Sequence, residues 1–169
     1  MGRRHGVNIV GIDYSSHAVD VVWVHLDDAH SPQWFRYPLH GTDAFERTRT
    51  VAQALPGAHS DYWDDVLAVG IEHPAGKFGT GPLMRIQGAI LACIPARMLV
   101  EPLPPAKWRK LVGLPGNASK TDNELFSLLG LIDLPEAVAR EMCSWPQDAH
   151  DAHLIALATR TLIHQEQAA

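Results

Sequence analysis

Two apolar runs in this chain each end on an acid. Val7-Asn8-Ile9-Val10-Gly11-Ile12 leads into Asp13, and Val66-Leu67-Ala68-Val69-Gly70-Ile71 leads into Glu72. Short runs this rich in Val and Ile read as buried strands, of the kind found in parallel sheets. A carboxylate at the end of a core element costs free energy unless it is paired or bound to a cation. The conflict recurs near the C-terminus, where Asp148 and Asp151 open the otherwise apolar helix pattern Asp148-Ala149-His150-Asp151-Ala152-His153-Leu154-Ile155-Ala156-Leu157-Ala158.

Each acid alone has a plain explanation. Asp13 can open a turn by accepting backbone N–H groups. Glu72 can be a solvated strand end. Asp148 can cap the last helix, with Asp151 at its third position. Together they fit poorly with those roles. Positions 148, 151, 155 and 162 share one helical face, so the face that should be buried begins with two acids. Acids at the C-terminal ends of two parallel neighbouring strands would lie on one sheet edge, where ligand and catalytic groups gather in open α/β sheets. A helix packed across that edge would add Asp148 and Asp151. Oxygen-only ligands favour a hard cation, Mg²⁺ or Mn²⁺, over zinc. Two such ions about 4 Å apart could activate a water and stabilise the leaving oxygen in phosphodiester cleavage.

The pattern between these points is that of an α/β domain with a mixed sheet. Residues 7–13, 18–26 and 33–39 read as three strands of a meander, joined by turn-forming stretches at 14–17 and 27–32. A short helix is expected at about 43–54, capped by Thr42 or Asp43. The strand at 66–72 follows, then a Gly-rich loop at 74–81, an apolar helix at about 82–95 and a short strand at 97–100. Pro102, Pro104 and Pro105 should break the chain before a short helix near 107–112. Ser119 is a plausible cap for a helix at 120–130. A helical stretch at 135–143 and a last helix from about Asp148 to Gln165 complete the order.

The 169 residues suit one domain with a full core, taken as 1–169. No run approaches the ~20 apolar residues of a membrane span, and no signal-peptide core follows the basic N-terminus, so a cytoplasmic protein is expected. Cys93 and Cys143 lack metal-ligand spacing and read as free thiols. The net charge of −5 opposes general nucleic-acid binding. Bound divalent cations would offset it at the site, and the bases are clustered. Between residues 97 and 120 stand Arg97, Lys107, Arg109, Lys110 and Lys120, against Glu101 alone. Trp108, amid three of these bases, is either a stacking platform for an unpaired base or the anchor of a short helix. His150 and His153 could be ligands or proton shuttles, and for His150 a supporting or solvent-facing role is expected.

These residues resemble the RuvC-like Holliday-junction resolvases of the RNase H-like superfamily, over roughly residues 7–163. Gly11-Ile12-Asp13 is similar to that family's first-strand acid, and Val69-Gly70-Ile71-Glu72 to its second acid. Leu83-Met84-Arg85-Ile86-Gln87-Gly88-Ala89-Ile90 is similar to its Gly-containing interface helix. Gly113, Gly116, Ala118 and Lys120 resemble a Gly-rich stretch that ends in a DNA-contacting lysine. Asp148-Ala149-His150-Asp151-Ala152 resembles its closing acid-x-x-acid helix. The chain departs from the pattern after the first acid, where Tyr14-Ser15 replaces Pro-Gly. It departs again at Phe78, which lies six residues beyond Glu72.

The resemblance implies a mixed five-stranded sheet flanked by helices and a Mg²⁺-dependent endonuclease that nicks four-way or branched DNA in recombination or replication. Asp13, Glu72, Asp148 and Asp151 would hold two Mg²⁺, for which Mn²⁺ can substitute. Lys107, Arg109, Lys110, Lys120 and Phe78 would contact DNA. A homodimer through the helix at about 82–95 is implied as well, and divergent members of this kind are often virus-encoded. Three other readings compete: an RNase H-like nuclease acting on RNA or an RNA–DNA hybrid, a non-catalytic branched-DNA binding protein, and an actin-like nucleotide-binding domain. The last needs two similar domains, which 169 residues cannot hold.

Overall fold

The computed structural model describes residues 7–27, 31–74, 80–129 and 135–169. Three hairpin-linked strands come first: β1 (Asn8–Tyr14), β2 (Ala18–His25) and β3 (Gln33–Pro38). Helix α1 (Ala44–Ala54) and a single 3₁₀ turn (Asp61–Trp63) lead to β4 (Val66–Glu72). Helix α2 (Thr80–Cys93), β5 (Leu99–Leu103), α3 (Pro105–Leu111), α4 (Lys120–Leu129), α5 (Glu136–Met142) and α6 (Gln147–Gln167) follow. The sheet order is β3-β2-β1-β4-β5. Strands β1, β2 and β3 pair antiparallel, and β1, β4 and β5 pair parallel. This is the expected mixed five-stranded sheet.

Side-chain alternation divides the sheet into two faces. On one, Val10, Ile12, Val21, Val69 and Ile71 pack with Val51 of α1 and with Ile86 and Ile90 of α2. On the other, Ile9, Val22, Val24 and Ala68 pack against Ala149, Ala152 and Ala156 of α6. Helices α3 and α4 lie on the far side of α6, where Trp108, Leu154, Ile155 and Ala158 form a third cluster.

Local chemistry explains most element ends. Asp43 caps α1 by accepting from the N–H groups of Phe45 and Glu46. Ser119 and Asp122 form a reciprocal capping pair at the start of α4. Helix α2 covers 80–93 rather than about 82–95, and three other boundary differences have a plain cause. Strand β5 covers 99–103 rather than 97–100 and includes Pro102. It pairs with β4 alone, and an edge strand tolerates a proline that an inner strand would not. Pro105 starts α3 instead of preceding it, because the first helical position needs no N–H donor. Helix α6 begins at Gln147 after Pro146, so Asp148 lies inside the first turn and is not its cap.

The seat of α6 depends on two glycines paired across β1 and β4, Gly11 and Gly70. A Cβ at Gly11 would overlap the Ala152 carbonyl oxygen and the Ala156 nitrogen. One at Gly70 would overlap Thr159 Oγ1 and lie 3.0 Å from Ile155 Cγ2. The helix backbone therefore rests almost directly on the sheet, further helped by its alanines. Cys93 and Cys143 are free, the first buried and the second exposed. Among the described residues no helix is long and apolar enough to cross a membrane.

The two glycines should respond differently to Gly→Ala. At Gly11 the obstacle is helix backbone, so thermal unfolding should show a loss of about 3 kcal/mol or more, near 10 °C in Tm. At Gly70 the nearest obstacle is a side chain. Thr159→Ala added to Gly70→Ala should recover part of the loss, whereas it should recover none in Gly11→Ala.

Candidate active site

Asp13 and Glu72 stand two residues beyond Gly11 and Gly70, on the strand face that α6 covers. The first two turns of α6 carry Asp148 and Asp151 to the same sheet edge. All four carboxylates line one cleft of about 700 Å³, together with Arg47 of α1, Arg109 of α3 and Lys120 of α4. The parallel-neighbour arrangement expected from the two acid-terminated runs is thus what the strands form.

Each acid is held in its own way. Asp13 Oδ1 accepts the Tyr14 N–H at 2.9 Å. Glu72 Oε2 accepts the Trp108 indole N–H at 3.2 Å, and the Glu72 carbonyl accepts from Gln87 Nε2 at 3.0 Å. Asp151 Oδ1 accepts from Asn123 Nδ2 at 2.9 Å and Gln147 Nε2 at 3.2 Å. Asp148 faces the Lys120 ammonium at 3.7 Å.

Burial and mutual repulsion raise the proton affinity of Asp13, Glu72 and Asp151. Asp13 is pushed well above the carboxylate range, chiefly by burial, then by the charges of Glu72, Asp151 and Asp148. Glu72 is raised to about 7. Burial is the main cause and the Asp151 charge adds to it, while Trp108, Arg109 and Lys120 oppose the shift. Asp151 is raised by burial against the opposing effects of Asn123, Gln147, Lys120 and Arg109. Arg109 and Lys120 therefore only partly offset the repulsion among the acids, and a divalent cation would add positive charge there. Among the described residues no three His, Cys, Asp or Glu side chains converge into a ready-made metal cage. The carboxylates ring an open cleft instead. Such a cleft fits ions that keep part of their water shell and take one or two carboxylates each, as Mg²⁺ does.

The basic residues are divided. Arg109 lines the cleft, with its guanidinium 4.9 Å from the centre of the Trp108 ring and Nη1 donating to the Gly116 carbonyl at 3.4 Å. Lys120 also lines it. Lys107 and Lys110 are exposed on α3 and lie outside its walls, Lys107 being 4.0 Å from Glu101. Phe78 and most of the Gly-rich loop fall outside the described residues.

Trp108 is 0% exposed. It is an anchor and not a platform for bases, and its bond to Glu72 was invisible in the sequence. His150 and His153 are fully buried and face α4, so neither reaches solvent. Both Nδ1 atoms contact Ser127 Oγ, at 3.0 and 2.9 Å. One hydroxyl carries one proton, so it can donate to one ring only, and at least one of the two rings must donate its Nδ1–H to the oxygen. Burial lowers the affinity of both rings for a second proton, with His153 down to about 3. Asn123 and Ser127, one turn apart on α4, thereby dock that helix on α6 and set the position of Lys120.

Three further residues went unread in the sequence. Arg47 and Asn123 lack any motif. Asp20 pairs with Asp13 across β1 and β2 and is fully buried, bonded to Trp34 Nε1 at 2.9 Å and Arg36 at 3.4 Å. Its alternating strand resembles any half-buried one, so only the register reveals an acid beside the first.

The raised affinities give a signed pH dependence. Between about pH 4.5 and 7 folded Glu72 retains a proton that the unfolded chain has released, so stability falls as pH rises. In EDTA the Tm should be higher at pH 5.5 than at pH 8, and Glu72→Gln should flatten that fall.

No protein-family model and no curated protein sequence matches the chain. Solved structures do match. Thermus thermophilus RuvC is 19% identical with a TM-score of 0.61, and the match covers 94% of this chain and 96% of that one. T. thermophilus RuvC in complex with Holliday junction substrate is 17% identical with a TM-score of 0.64, at the same coverage. At this level of identity the likeness is one of architecture, and it runs nearly end to end. The chain shares the fold of these RuvC structures, an RNase H-like mixed five-stranded sheet flanked by helices.

Proposed function

We propose that this protein is a metal-dependent, structure-selective endonuclease that cuts four-way or branched DNA. The observation that carries the reading is the meeting of Asp13, Glu72, Asp148 and Asp151 in one cleft, with Arg109 and Lys120 beside them. The RuvC-like fold supports it, as one of the matching structures holds a Holliday junction substrate.

The four acids would hold divalent cations, Mg²⁺ or Mn²⁺. When bound, such ions would supply Lewis acidity and lower the pKa of a water, both of which speed phosphodiester hydrolysis. The protein's part is to hold oxygens in place and steer the backbone. Arg109 and Lys120 face the cleft and attract a phosphate, and Lys107 and Lys110 extend that basic surface along α3. Contacts of this kind orient DNA without reading its sequence. Selectivity for a branch then rests on the shape and deformability of the DNA and on the spacing of two active sites in a homodimer. The outer face of α2 suits that dimer, since Met84 is 42% exposed and Leu91 41% exposed.

The test uses a synthetic four-way junction, a linear duplex and an RNA–DNA hybrid, each with Mg²⁺, Mn²⁺ or EDTA. The junction should be nicked symmetrically and only with metal, and the linear duplex should be spared. Glu72→Gln and Asp148→Asn should each slow cutting by roughly a thousandfold or more while junction binding survives. Preferential cutting of the hybrid would assign the protein to RNA-directed nucleases. Binding without turnover in either metal would leave it a branched-DNA binding protein.

A further inference from the structure

Glu72 is the longest and most rotatable of the four acids. Its backbone is fixed by the sheet and by Gln87, but its carboxylate could still swing across the cleft mouth. What holds it is the Trp108 indole N–H, 3.2 Å from Oε2. An indole has one donor and no acceptor, so it occupies one oxygen and leaves the other free. The ring itself cannot drift. It is wholly buried in a cluster with Leu103, Leu154 and Ile155, and so is tied to the same α6 that carries Asp148 and Asp151.

We propose that Trp108 is a positioning residue for Glu72, and that the cation affinity of the cleft depends on its N–H. The inference rests on the metal-dependent reading above. It goes further by assigning a non-ligand, on the helix that also carries Lys107, Arg109 and Lys110, to the assembly of the metal site. The geometry gives α3 two tasks at once. Its outer residues meet phosphate, and its inner tryptophan sets the carboxylate. Partners of metal-ligating groups commonly fix ligand orientation in this way.

The test replaces the N–H and little else. Benzothienylalanine at position 108 keeps the bicyclic shape but puts sulfur in place of the N–H, and Trp108→Phe serves as the simpler companion. Mn²⁺ binding to the full chain is measured by isothermal titration, with Glu72→Gln as the control for a lost ligand. The isostere should bind Mn²⁺ roughly tenfold or more weakly, while its Tm and its junction binding in EDTA stay near wild type. The Mg²⁺ concentration for half-maximal cutting should rise in step. A folded isostere that binds Mn²⁺ within about twofold of wild type overturns the proposal and leaves the nuclease reading intact. Wild-type protein that binds no Mn²⁺ overturns both.

Discussion

The geometry of the acidic cleft depends on how closely α6 can approach the sheet. Helices usually stand off a sheet by the thickness of two layers of side chains. Here Gly11 and Gly70 remove one layer, and Ala149, Ala152 and Ala156 thin the other. The consequence reaches the acidic cleft. Asp13 and Glu72 lie only two residues further along their strands, on the same face, so their carboxylates emerge where the first two turns of α6 present theirs. A bulkier pair at 11 and 70 would lift the helix and separate the acids that share the cleft.

Bringing four carboxylates together costs free energy, and the fold distributes the compensation. Each acid that is strongly buried has a neutral donor: a backbone N–H for Asp13, an indole for Glu72, amides for Asp151. Neutral donors orient a carboxylate without cancelling its charge, so the cleft stays acidic. The charged partners Lys120 and Arg109 come from separate helices at the cleft wall. They temper the repulsion without abolishing it, as the raised proton affinities of Asp13, Glu72 and Asp151 show. A site with full internal ion pairing would have little use for a metal.

Much of this was legible in the sequence because it is written in local terms. Apolar runs, turn residues and caps mark the strands and most helices within a few positions, and an acid that ends a buried run is conspicuous by itself. What stayed hidden depends on partners far along the chain. Glycines 11 and 70 look like ordinary interruptions of two strands until the parallel register sets them side by side beneath α6. Asp20 needs the β1–β2 register to become a neighbour of Asp13. Trp108 lies 36 positions from Glu72, and Asn123 lies 28 from Asp151, so no local pattern links them. The basic stretch from 97 to 120 shows the same limit. Its charge is a property of composition, but only the packing of α3 and α4 separates the two bases that face the cleft from those on the outer surface.

The polar contacts behind α6 extend this logic beyond the acids. Helix α4 could have docked through apolar residues alone, yet it offers Asn123 to Asp151 and Ser127 to two buried histidines. Such contacts add little net stability, but they penalise any other register, because a slipped helix would leave several buried polar groups unpaired. Lys120 sits at the first position of α4, one turn before Asn123. The same register that satisfies Asn123 therefore fixes how far the lysine stands from Asp148. Specificity of packing in the interior is converted into placement of charge at the cleft, and the two cannot be varied independently.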